Sequence, residues 1–391
     1  MTSAQTHPFL TFDFDTMSLS RPVWMLLGEA MSKCEHLAGS PLKPGAALEM
    51  SSVFLARGVK ATTAIEGNTL SEEEVQRIVN NGSADVSESR AYLELEVRNV
   101  LSAIRDIDAA LRNGVRLPIT TERLCALNLQ LLDGIPDRPE VVPGRIRQHD
   151  VRAGSYRPPN WDDVPTLTEH LVRWLDQLRS QVTPSSRRED RFVVALLSAI
   201  LAHVYIAWVH PFGNGNGRLA RLIEVQILSE SGVVPIVATN LLSDHYNKTR
   251  NAYYLSLDAA QRDVCEFISY ALRGFVDELR DQIEMVRVQN LQTQWESYVY
   301  EVFRGHPGTP ARARQREAAL HILASSPGIT PEDLTLLTPR IAKRYAALGP
   351  RIPARDLNDL VKMGLVAKTG KRTYRARREI VEAFIPPTAD A

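Results

Sequence analysis

The stretch VHPFGNGNGRLAR, Val209–Arg221, sets one histidine, three glycines and two arginines within thirteen residues. What lies on either side of it decides the fold. Upstream, Val193–Val209 is an uncharged apolar run, too long for a strand and at the short edge of what spans a bilayer. With His203 and Tyr205 inside it, the run reads as a buried helix at the centre of an all-helical core and not as a membrane span. Downstream, RLARLIEVQILSESG keeps a helical spacing of apolar residues. The quoted stretch is therefore a loop between two helices.

Its residues suit anion chemistry. Gly213, Gly215 and Gly217 remove side chains from a turn leading into a helix that begins near Arg218, which leaves backbone N–H groups to face a phosphate. Arg218 and Arg221 are three apart, so both project from the first helical turn and can reach a polyphosphate. His210, at the end of the preceding helix, has the titration range of a general base. Phe212 reads as an anchor in the core. Two generic phosphate motifs fail here: no Lys-Ser/Thr pair follows the glycines, and GNGRLA lacks the strand that must precede a dinucleotide fingerprint.

Farther out, residues 1–45 read as an irregular leader packed on the core, with Pro8, Pro22, Pro41 and Pro44 around the apolar segment PVWMLLGEAM. ALEMSSVFLARGVKATTAIEGN is a helix stopping at Gly67, and LSEEEVQRIV opens with Ser71 and Glu74 in capping-box spacing. RAYLELEVRNVLSAIRDIDAALRNG and TTERLCALNLQLLDG continue the helical theme. PDRPEVVPGRIRQHDVRAGSYRPPNW breaks it with prolines and glycines around two short alternating segments, read as a hairpin or flap.

Helices resume until about Arg314, where a different unit begins. REAALHILASSPG, TPEDLTLLTPRIAKRYAAL and PARDLNDLVKMG precede a two-stranded turn centred on Gly370, the order of a winged helix-turn-helix. Residues 340–378 carry twelve Lys/Arg against two Asp/Glu, with Lys371, Arg372 and Arg375 around the turn. That is a footprint for duplex DNA, while such units also dock proteins; both remain open.

Forty-six basic residues balance forty-six acidic ones, so no charge argument for nucleic acid or membrane holds for the whole chain. Cys34, Cys125 and Cys265 have neither CxxC nor Cys/His spacing and read as reduced thiols, not as a disulfide framework or zinc site. No basic leader precedes an apolar run, so a cytoplasmic location is the expectation. His203 reads as a hydrogen-bonded core histidine, and Tyr253 and Tyr254 as packing residues.

HPFGNGNGRLAR resembles the signature of the Fic (filamentation induced by cAMP) domain, His-x-Phe-x-Asp/Glu-Gly-Asn-Gly-Arg-x-x-Arg, at every defined position except the acidic one, where this chain has Asn214. The likeness covers roughly Ala46 to Asn290, taking in PGRIR…VRAGSYRPP before the loop and YNKTRNAYYLSL after it. The resemblance implies a Fic domain over 46–290, with an inhibitory helix (46–67), a flap (144–159) and a catalytic loop (210–221); the winged-helix domain read from the helix order covers 310–391. It implies transfer of AMP from ATP to a Ser, Thr or Tyr hydroxyl of a protein docked on the flap. His210 would be the catalytic base. Phe212, Gly213, Asn214, Gly215, Asn216 and Gly217 would form the nucleotide site, with Gly215, Asn216 and Gly217 as the anion hole and Arg218 and Arg221 on the β- and γ-phosphates. The missing acidic residue is the family's ligand for Mg2+; the amide oxygen of Asn214 can still ligate Mg2+ or Mn2+, without the charge.

TTAIEGN is similar to the family's self-inhibitory motif, Ser/Thr-x-x-x-Glu-Gly/Asn, with Thr62, Glu66 and Gly67 in place. Glu66 would then pair with Arg221 and displace the γ-phosphate. Two rival readings stay beside transfer: a transcriptional or docking protein that binds nucleotide without turning it over, and removal of AMP using a water positioned by Glu66. Self-modification and a homodimer are compatible with the resemblance; a membrane partner is not expected.

Overall fold

The computed structural model describes residues 6–323 and 328–382. The outer ends of the expected leader and winged-helix segments (1–5 and 383–391), and the end of REAALHILASSPG (324–327), lie outside the described residues. The chain divides into two units, Met1–Ser40 with Pro44–Ile283, and Pro41–Lys43 with Glu284–Ala391. The sequence places this change later, between 290 and 310.

The first unit is helical throughout. Its elements are α1 (Arg21–Gly39), α2 (Pro44–Ala64), α3 (Glu72–Asn81), α4 (Ala91–Arg112), α5 (Thr121–Leu132), α6 (Val164–Arg179), α7 (Arg188–Val209), α8 (Asn216–Glu230), α9 (Leu241–Lys248), α10 (Arg250–Ala259) and α11 (Val264–Arg304) up to Ile283. The leader is not irregular across 21–39. Pro22 lies in the first turn of α1, where a missing N–H costs nothing, and Val23, Leu27, Ala30, Cys34 and Leu37 form its buried stripe. The residues before α1 do pack on the core, Phe9 edge-on to Trp208 and Phe12 against Tyr205.

Local signals set several boundaries as expected. Ser71 accepts from the N–H of Glu74 while the Glu74 carboxylate accepts from the N–H of Ser71, so α3 starts in a complete capping box. Helix α2 ends earlier than expected, at Ala64, and Gly67 at φ 101° closes the turn that follows. Helix α7 is apolar on every face and is accordingly central. Among the described residues it is the one helix long and apolar enough to cross a membrane, and 83% of its apolar window is buried inside the protein. It packs as a hairpin against α8, which is buried from Leu219 to Leu228.

The expected hairpin flap has no strand among the described residues. Its pairing is a single bridge in which Ala153 and Tyr156 exchange N–H···O bonds of 3.0 Å around Gly154 at φ 63°. Pro143, Pro158 and Pro159 lack the donors a longer ladder needs.

In the second unit α12 (Pro310–Ile322), α13 (Pro331–Leu334), α14 (Pro339–Tyr345) and α15 (Ile352–Lys362) precede an antiparallel ribbon, β1 (Val366–Lys368) and β2 (Tyr374–Ala376), in register Val366↔Ala376. Ile329 bridges Tyr374 on the ribbon's other edge. Three of these helices start with Thr-Pro. The Thr309, Thr330 and Thr338 hydroxyls accept from the third N–H of α12, α13 and α14, and the proline occupies a position where no donor is required. Trp295, Val299, Ile322, Leu334, Leu357 and Leu360 fill a core of their own.

Candidate active site

Helix α7 stops at His210, whose backbone is left-handed at φ 51°. A non-glycine residue there costs on the order of 1 kcal/mol, so neighbours must hold it. The His210 N–H donates to Ile206 O at 2.9 Å, and its carbonyl accepts from Arg147 Nε at 2.8 Å. Its Nδ1 lies 3.1 Å from Ala207 O. A carbonyl only accepts, so Nδ1 carries the proton and Nε2 keeps the lone pair. Burial pushes the imidazole down to about 4, against the hydrogen bond to Ala207 and the Glu66 carboxylate, which both raise it. The ring is neutral at pH 7 and Nε2 is free to accept a proton.

The loop after His210 is braced from within. Phe212 N–H donates to Asn216 Oδ1 at 2.9 Å and Asn216 Nδ2 donates to Phe212 O at 2.8 Å, which uses both ends of that amide. Asn216 thus contributes its backbone, not its side chain, to any anion site. Gly215 turns the chain into α8 at φ 79°, where a Cβ would stand 3.1 Å from Asn128 Nδ2. The N–H groups of Asn216, Gly217 and Arg218 open α8 with no acceptor within the helix, the arrangement that attracts anions.

Two residues that sequence reasoning missed tie this loop to distant parts of the chain. Arg147, 3% exposed, clasps four points: its N–H donates to Pro211 O, and its guanidinium donates to the carbonyls of His210, His149 and Pro159. Asn128, fully buried, donates to Asn214 O at 3.0 Å and accepts from Gly144 N–H at 2.9 Å. Tyr156 adds a bond from its hydroxyl to Trp208 O. Nothing local marks these residues; their partners are up to 86 positions away.

The two loop arginines separate. Arg221, 1% exposed, donates to Glu66 Oε1 at 2.6 Å and to Thr62 O at 2.9 Å. Burial opposes the charge on Glu66, but the Arg221 guanidinium outweighs it and holds the carboxyl below its usual range. Gly217 allows this contact, since a Cβ there would collide with Glu66 Oε1 and crowd the guanidinium at 3.1 Å. Glu66 projects from the turn after α2, not from the helix expected to run to Gly67, and Thr62 takes part through its carbonyl. Arg218, by contrast, turns away to Glu96 Oε1 at 3.2 Å, and Glu96 is shared with Asn68. Spacing predicts both arginines on one polyphosphate; the structure puts only Arg221 on the cavity, because Arg218 is drawn to a partly buried carboxylate.

That cavity, about 990 Å3, is lined by Glu66, His210, Gly213 through Gly217, Arg221, Tyr253 and Tyr254, with the flap from His149 to Arg157 along one side. Phe212 is a 1% exposed core anchor and does not line it. Asn214 lines it, with its amide nitrogen donating to Asp137, another lining residue. No cluster of three or more His, Cys, Asp or Glu suited to a metal occurs among the described residues. His203 is a core residue as expected: its Nε2 lies 2.9 Å from the Tyr253 hydroxyl and its Nδ1 3.2 Å from Glu224 Oε2. The three cysteines are free thiols.

A neutral histidine with an open nitrogen, set on one cavity with a bare helix N-terminus and a buried arginine, is chemically suited to an anionic ligand and to proton transfer. The Fic/DOC family profile matches residues 118–228 of this chain. Protein adenylyltransferase fic-1 of Caenorhabditis elegans is 30% identical over 214 residues, 54% of this chain and 38% of that protein. Protein adenylyltransferase Fic of Drosophila ananassae is 26% identical over the same length, again 38% of the relative. The chain therefore spans well under half the length of these curated relatives. Among solved structures, a Fic family protein from Desulfovibrio desulfuricans G20 superposes with a TM-score of 0.55 at 19% identity, covering 92% of this chain and 97% of that one. Fic-1 from C. elegans gives 0.54 at 24% identity, covering 68% and 73%. Identities this low speak for a shared fold.

Proposed function

We propose that this chain is a protein adenylyltransferase that transfers AMP from ATP to a Ser, Thr or Tyr hydroxyl and is restrained by Glu66. The observation that carries the reading is the single cavity in which His210 keeps a free Nε2 while Glu66 occupies the Arg221 guanidinium. In the reaction, His210 Nε2 takes the hydroxyl proton as the oxygen bonds to the α-phosphorus, and the bond to the β-phosphate oxygen breaks to release pyrophosphate. The open N–H groups of α8 take up charge on the α-phosphate. Arg221, once released from Glu66, holds the outer phosphates. The target segment lies along the flap, which Arg147 fixes to the catalytic loop.

A divalent cation, Mg2+ or Mn2+, would offset phosphate charge. The carboxylate oxygens of Asp137, beside the Asn214 amide, suit such an ion. Residues 310–382 are read as a winged helix, supported by the helix order, the β1–β2 ribbon and the Ile329 bridge.

The test is incubation of wild type, Glu66→Gly and His210→Ala with α-labelled nucleotides and Mg2+ or Mn2+. Strong self-labelling from ATP is expected only in Glu66→Gly. No label from any nucleotide or metal overturns transfer and leaves nucleotide binding without turnover; label in His210→Ala overturns the assigned base. Release of AMP from a pre-modified protein by wild type, lost in Glu66→Gly, would favour the reverse hydrolytic reading.

A further inference from the structure

We propose that Asp137 supplies the carboxylate for the divalent cation that position 214 lacks, an inference that rests on the nucleotidyl-transfer reading. Asn214 Oδ1 accepts from the Gly215 N–H at 2.6 Å. That bond fixes the amide orientation, because the opposite rotamer would set an NH2 group against an N–H. The Nδ2 end therefore faces outward, and it donates to Asp137 Oδ2, 77 residues away in the chain. Asn128 holds the Asn214 carbonyl, so the amide is a fixed post and not a swinging arm.

Asp137 is itself held. Its Oδ1 accepts from the Arg138 N–H at 2.7 Å, and Pro136 and Pro139 restrict the backbone around it. Two donors occupy about half of the lone-pair sites of a carboxylate, so hard oxygen positions remain for a cation. Both Asp137 and Asn214 line the cavity that also contains Gly217 and Arg221. The pairing accounts for the amide at 214. A carboxylate there would stand against Asp137 and repel it, whereas an amide donates to it and keeps one full negative charge at the cavity wall. The acidic function is moved, not lost.

The experiment uses the full chain carrying Glu66→Gly as parent, with α,β-methylene-ATP as a probe that cannot release pyrophosphate, titrated calorimetrically in EDTA and in Mn2+. Mn2+ should tighten probe binding to the parent. Asp137→Asn should keep the EDTA affinity within about twofold yet lose about tenfold or more of the Mn2+ gain. The double change Asn214→Asp with Asp137→Asn should recover that gain, because it returns one carboxylate to the same place. A Mn2+ gain that survives Asp137→Asn, or is missing from the parent, or does not return in the double variant, overturns the relocated ligand while probe binding in EDTA keeps the transferase reading alive. A parent that binds no probe in either condition overturns both.

Discussion

Around the loop from His210 to Arg221, the residues Arg147, Arg218 and Arg221 are 3% exposed or less, and each meets a defined carbonyl or carboxylate. At the end of the second unit Arg372, Arg375, Arg377 and Arg378 reach solvent and pair with Glu332, Glu379 and Glu382. Arg340 and Arg344 similarly share Glu317. All four of these carboxylates lie outside the window 340–378 that is strongly basic in sequence. Counting charge along the chain therefore overstated the positive field of the second unit. It also said nothing of the first, where few cations matter because they are dry.

Breaking the comparison at its strong end should have the largest effect. Arg221→Ala leaves the partly exposed Glu66 carboxylate and the Thr62 carbonyl without their buried partner, and urea unfolding should show a loss of about 2 kcal/mol. Removing Glu66 as well should recover part of that loss, since no orphaned charge remains. A loss under about 0.5 kcal/mol would put the Arg221–Glu66 pair in the same class as the exposed ones.

The pH dependence is the next largest. His210 is depressed to about 4 from 6.5, so the unfolded chain binds its proton first, and the stability His210 allows is complete above 6.5 and lost as pH falls toward 4. Glu66, also depressed, acts in the same direction below the ordinary glutamate value of 4.5. His210→Asn should flatten unfolding stability between pH 7 and pH 5, a difference of about 1–2 kcal/mol. An unchanged slope would mean that the imidazole is not held neutral by burial.

The smallest effect belongs to the exposed pairs. Arg372→Ala should change unfolding stability by no more than about 0.5 kcal/mol, because an exposed pair gains little over its solvated ions. Those pairs are weak enough for a polyanion to displace. Salt-dependent retention of the full chain on duplex DNA, reduced by charge reversal at Lys371 and Arg372, would support a DNA partner for this unit; no retention at low salt would leave protein docking.

What the sequence made legible follows from the range of the interaction. The Ser71–Glu74 box, the buried α7 and the turn at Gly215 are all written within a few residues, where spacing and backbone stereochemistry act directly. The leader helix α1 escaped because its flanking prolines read as breakers, although Pro22 stands where a helix accepts one. Arg147, Asn128 and Asp137 escaped for a different reason: each is an ordinary polar residue until the fold brings a carbonyl or an amide to it.

The residues from His210 to Arg221 were enough to determine a histidine, a glycine turn that bares backbone N–H groups and an unusual asparagine. Only the tertiary structure decided that Arg221 and not Arg218 faces the cavity, that Glu66 reaches Arg221 across 155 positions, and that a carboxylate stands beside Asn214. Spacing along a helix sets where a side chain starts. Which partner it takes depends on what other segments bring within about 3 Å, and no local pattern contains that distance.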